Sequence, residues 1–144
     1  MKLIQLSVFL ENRPGRLARS CRVLADAGID IVAANVVDTR EFGILRLIVA
    51  DAEAATKALA GAGYAVNRAE VVAVEVADRP GSMAVILEAL DAAGVNVEYA
   101  YAFTERRGAR AALVFRFAQP EAAIAALQRA GIPVIGPVEA FRAG

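Results

Sequence analysis

Two short loops carry the residue types best suited to binding chemistry in this chain. Asn12-Arg13-Pro14-Gly15-Arg16-Leu17 and Asp78-Arg79-Pro80-Gly81-Ser82-Met83 share an Arg-Pro-Gly centre, and each leads into a helix-like run. A helix start offers free backbone N–H groups and the positive end of the helix dipole, so it favours a carboxylate or phosphate. Glycine lets such a ligand approach the backbone closely. Asn12 and Asp78 can cap the turn locally or contact the ligand. One Pro-Gly is most simply a turn; its recurrence beside a second matched feature points to binding. That feature is Asp30 and Asn96, each two residues after a glycine and each between aliphatic neighbours. Their side chains therefore point away from those neighbours. Neither loop is a P-loop, because no Gly-Lys-Ser/Thr follows.

Other chemistry is scarce. The chain has 144 residues and no histidine, which removes His-based acid–base catalysis, Ser-His-Asp and Cys-His pairs and His metal sites. The single cysteine, Cys21, makes neither an intrachain disulfide nor a thiolate zinc cage, and no Cys-x-x-Cys pair exists. Ser7, Ser20 and Ser82 offer hydroxyls with no base beside them. Sixteen basic and sixteen acidic residues cancel, which argues against nucleic acid and against an electrostatic hold on anionic membranes. Tyr99, Tyr101 and Phe103 alternate along one strand, as in RNA-binding sheets, yet their counterparts Ala33, Asn35 and Val37 are not aromatic, so packing explains them better. Glu105-Arg106-Arg107-Gly108-Ala109-Arg110 reads as a solvated hairpin tip, and Cys21 as a buried, inert thiol.

With 58% hydrophobic residues, the chain is not disordered. No run of about 20 apolar residues suggests a transmembrane helix. Gln5, Ser7 and Glu11 break the apolar start, so a strand fits it better than a signal peptide. A lone cysteine without a targeting segment fits the cytoplasm.

The loops are placed by an internal repeat. Gly15 and Gly81 stand 66 positions apart, as do Gly28 and Gly94; Glu53, Leu59 and Gly63 then match Glu121, Leu127 and Gly131 at 68. Each half reads in one order. Ile4, Leu6, Val8 and Leu10 share a strand face, with Gln5 and Ser7 opposite; Val72, Val74 and Val76 are the equivalents. Leu3 and Phe9, like Val71 and Ala73, lie on the second face and hint at further burial. Leu17, Cys21, Leu24 and Gly28 form one helical stripe, repeated by Met83, Leu87, Leu90 and Gly94. Second strands follow at 29–38 and 95–104, turns at Thr39–Glu41 and Glu105–Gly108, and third strands at 43–49 and 110–117. Helices at 52–62 and 120–130 and short strands near 64–68 and 133–139 complete the order βαββαβ, twice. That is the ferredoxin-like arrangement of an α+β protein, with two helices on one face of an antiparallel sheet. The halves, 1–69 and 70–144, meet near Ala69–Glu70 with almost no linker, so their sheets are expected to pack together. A half of about 66 residues is marginal alone, and uncovered edges and faces favour a homodimer.

The pattern Asp/Asn-x-Pro-Gly-x-Leu/Met, then a helix, then Gly-x-Asn/Asp-Ile/Val, resembles the ACT domain, present here as two tandem copies spanning the chain. The resemblance implies a regulatory protein, not an enzyme and without a cofactor, that binds a free amino acid at an interface between such domains. It implies ligand contacts from Asn12, Gly15, Arg16 and Leu17, from Asp78, Gly81, Ser82 and Met83, and from Asn96. Asp30 departs from the usual Asn: an ionised carboxylate donates no hydrogen bond, repels a ligand carboxylate and can hold an ammonium. A regulated enzyme is the implied downstream partner. Two rivals stand beside this reading. One is an interaction module whose sheet face mediates dimerisation without a ligand. The other is a small enzyme built from carboxylates and arginines.

Overall fold

Alternating apolar residues and well-spaced glycines divide the chain into short elements. The structure is a computed structural model describing residues 2–38, 41–104 and 110–136. Among them are β1 (Leu3–Glu11), α1 (Arg16–Asp26), β2 (Ile31–Asp38), β3 (Phe42–Val49), α2 (Ala52–Gly61) and β4 (Ala65–Ala77). Then come α3 (Ser82–Ala92), β5 (Val97–Thr104), β6 (Arg110–Phe117), α4 (Pro120–Arg129) and β7 (Val134–Ile135). The order is the expected βαββαβ pattern twice, with β4 serving as the last strand of the first copy and the first strand of the second. Contacts divide the chain into two units. One is Ile4–Ala69; the other is the first three residues with the chain from Glu70 onward.

In the first unit β3 lies between β2 and β1, and β4 flanks β1 on the other side. β1 and β3 pair antiparallel, with Leu6 opposite Leu47 and Val8 opposite Leu45. These residues join Leu24 of α1 and Ala55 and Leu59 of α2 in one core. In the second unit the order is β7-β4-β6-β5. Val72 faces Phe115 and Val74 faces Leu113; with Ile86, Leu90 and Leu127 they form the equivalent core. Period-2 alternation in the strands and i, i+4 pairs on the helices, Ala55 and Leu59 of α2 and Ile86 and Leu90 of α3, thus build both cores. All four helices run into glycines with positive φ, at Gly28, Gly63, Gly94 and Gly131, as helix ends commonly do.

Some expectations are corrected. The strands expected near 64–68 and around Val72–Val76 are one strand: β4 runs for thirteen residues through Ala69–Glu70, because nothing from Ala65 to Ala77 is a glycine or proline. The second strands start at Ile31 and Val97, two residues late, each followed by a register shift. The helix stripes are displaced. Leu24 and Leu90 are buried, but Leu17, Met83 and Leu87 are exposed, and Ser20 and Ile86 take the buried places one turn earlier. Cys21 is half-buried instead of buried. The second strand face is buried at Leu3, Val71 and Ala73, but Phe9 is exposed. Gln5, expected on a polar face, is fully buried. The last strand is only Val134–Ile135; its expected continuation at 137–139, Thr39 and Arg40 of the first turn, and residues 105–109 of the second turn and hairpin tip lie outside the described residues.

Candidate functional site

The two Arg-Pro-Gly loops fold alike. Proline presets φ and glycine takes the left-handed conformation that a side chain resists: φ is 87° at Gly15 and 88° at Gly81. Each glycine is the N-cap of its helix, with no side-chain cap bond. Arg13 N donates to Glu11 O and Arg79 N to Ala77 O, both at 2.9 Å. Arg16 N donates to Arg13 O and Ser82 N to Arg79 O, both at 3.4 Å. Arg19 N reaches Gly15 O at 3.0 Å, and Val85 N reaches Gly81 O at 3.1 Å. The amides of Leu17 and Ala18, and of Met83 and Ala84, then have no acceptor within their helices. Both loops present donors to an anion.

Their side chains differ. In the first loop the Glu11 carboxylate lies 2.8 Å from Arg13 Nε and 3.8 Å from Arg16 Nη2. Ala77 and Ser82 hold the places of Glu11 and Arg16 in the second repeat. Arg79 therefore has no ion-pair partner among the described residues. Hollows flank the second loop on both sides of β4. Towards β6 lies a small one of about 170 Å³, lined by Asp78, Met83, Ala111 and Leu113 among others. Towards β7 lies a groove of about 420 Å³, whose lining includes Glu75, Val76, Arg79, Ser82, Val85 and Ile132. That volume suits a small-molecule site.

Asn12, Gly15, Arg16 and Leu17 thus gather in the first loop, and Asp78, Gly81, Ser82 and Met83 in the second. Asp30 and Asn96 do not join them within their own units. Asn12 N donates to Glu41 O at the start of β3, whereas Ala50 N donates to Asp30 O beyond its end. Eight residues of strand, roughly 25 Å, separate the two. Likewise Ala77 and Val97 face opposite ends of β6. Glu75, Val85 and Ile132 line the larger groove without having stood out in the sequence. The signal was present in the repeat itself, where Val85 and Ile132 replace Arg19 and Tyr64. No group of acidic, cysteine or histidine residues suited to a metal occurs among the described residues, and no described helix is long and apolar enough to cross a membrane.

Comparison with known proteins agrees with this architecture. No protein of curated function matches the chain. Among solved structures, protein BT0572 from Bacteroides thetaiotaomicron is 35% identical with a TM-score of 0.92, covering 99% of this chain and 97% of that one. The regulatory subunit of aspartate kinase from Thermus flavus is 20% identical with a TM-score of 0.63, covering 89% and 92%. Aspartate kinase from Synechocystis is 20% identical with a TM-score of 0.60, covering 93% of this chain and 26% of its own. The family model for the ACT domain pair matches residues 1–133, and the chain belongs to that family.

Proposed function

We propose that this protein is a non-enzymatic sensor that binds a free amino acid and regulates amino-acid metabolism through an enzyme partner. The observation that carries the reading is the pair of superimposable loops. Each is built on a left-handed glycine, presents unpaired helix-start amides, and lies beside arginine and small residues. Amides hold a carboxylate, and Asp78, Asn96 or Asp30 holds an ammonium or side chain. Solved neighbours that are regulatory subunits of aspartate kinase support the regulatory role. Asp30 and Asn96 sit a strand's length from the loops of their own units, so they contact a ligand only from a neighbouring domain. A homodimer supplies one. Binding then shifts assembly through differential affinity for the two arrangements.

Calorimetry and thermal shift with each standard amino acid test the proposal. At least one is expected to bind and raise the melting temperature; a folded protein that answers to none would sink it. Gly81→Val separates sensor from interaction module. A sensor loses ligand binding and keeps its oligomeric state, whereas a module without a ligand shows no response to lose.

A further inference from the structure

We infer that the amino-acid site is single and lies in the groove on the β7 side of the second loop, where Arg79 takes the carboxylate and the walls select an aliphatic side chain. The inference rests on the sensor reading above and adds place, stoichiometry and ligand class.

The repeat is its own control. Backbone hydrogen bonds in the two loops agree to within 0.1 Å, and the free helix-start amides are common to both, so these discriminate nothing. Side chains do. In the first loop Glu11 pairs with both Arg13 and Arg16, so a carboxylate of the chain already competes for both guanidiniums. Tyr64, which holds the place of Ile132, packs on its own core and buries its hydroxyl. In the second repeat Ala77 leaves Arg79 without an ion-pair partner among the described residues, Ser82 and Val85 replace two arginines, and the shorter Ile132 walls a groove of about 420 Å³. A guanidinium without an ion-pair partner among the described residues and open volume therefore coincide in the second repeat.

The lining names the ligand class. Arg79 offers a carboxylate a two-pronged donor, with the Ser82 hydroxyl beside it. Val76, Val85 and Ile132 present only apolar atoms to the remainder of the ligand, where a charged side chain would lose water without gaining a partner.

The test is calorimetry on the whole chain with L-leucine, L-isoleucine, L-valine, L-aspartate and L-lysine, repeated on Arg79→Gln, Ile132→Tyr and Arg13→Gln. Melting curves accompany it to show that each variant is folded. Aliphatic amino acids are expected to bind one per chain. Arg79→Gln should weaken them roughly 10- to 100-fold, the usual loss for a charge-assisted bond, and Ile132→Tyr should block them by filling the groove. Arg13→Gln should change nothing. Two ligands per chain, loss with Arg13→Gln but not Arg79→Gln, or binding of charged amino acids alone would overturn this inference and leave the sensor reading standing. If no amino acid bound the folded wild type, both would fall.

Discussion

Lys2 and Glu121 are 119 positions apart in the chain, yet Lys2 Nζ lies 2.6 Å from Glu121 Oε1. The same ammonium is 2.7 Å from Glu70, so Lys2, just before β1, is tied to the start of α4 and to β4. Hydrogen bonding to Glu121 and then to Glu70 holds the Lys2 ammonium well above its ordinary range, and bonding to Lys2 pulls Glu121 below the ordinary 4.5. A lowered carboxylate contributes stability above its unfolded value and loses it as pH falls through the folded one; a raised lysine does the converse at high pH. Lys2→Met should therefore be less stable than wild type at pH 7, with the gap closing as pH falls below about 4.5. Urea unfolding at pH 7 and pH 3 checks this, and added salt should narrow the pH 7 gap because these groups are exposed.

Tyr64 buries a hydroxyl that meets no hydrogen-bond partner among the described residues. A buried polar group without a hydrogen bond costs about 1–3 kcal/mol. Tyr64→Phe keeps the ring on the first core and removes that group. The expected outcome is a gain of about 1 kcal/mol in unfolding free energy, read by chemical denaturation.

Leu90 is buried in the second core, whereas Met83 on the same helix is 46% exposed. Leu90→Ala should cost about 2–5 kcal/mol, as large-to-small core changes do. Met83→Ala should cost less than about 1 kcal/mol, closer to an ordinary surface change. Leu24 and Leu17 should repeat the contrast in the first unit. Equal losses within either pair would show that the stripe is placed wrongly.

Gly15 and Gly81 tolerate an added Cβ sterically, since nothing lies within 4 Å of one. Their positive φ does not tolerate it, because a left-handed residue with a side chain costs roughly 1–2 kcal/mol. Gly15→Ala and Gly81→Ala should each destabilise by that amount. The matched loop geometry predicts equal losses, and thermal melts of the two variants decide it.

Residue pattern alone determined the repeat, the order of elements and the two loops, because these follow from local rules: period-2 alternation, helix spacing and the backbone preferences of proline and glycine. Leu6, Val8, Val72 and Val74 were legible as core for that reason, and Gly28 and Gly94 as helix ends. Which flank of a helix is covered was not legible. Leu17 and Met83 have the same spacing to Leu24 and Leu90 as a buried residue would, and only the neighbouring strands and helices decide that Ser20 and Ile86 go inside instead. Thirteen residues without a breaker read as two strands at a repeat boundary but fold as one. The separation of Asn12 from Asp30 depends on the register of β3. The difference between the loops depends on which side chain meets Glu11 and on how far Tyr64 or Ile132 reaches. Those are distances between residues remote in sequence, and packing in three dimensions sets them.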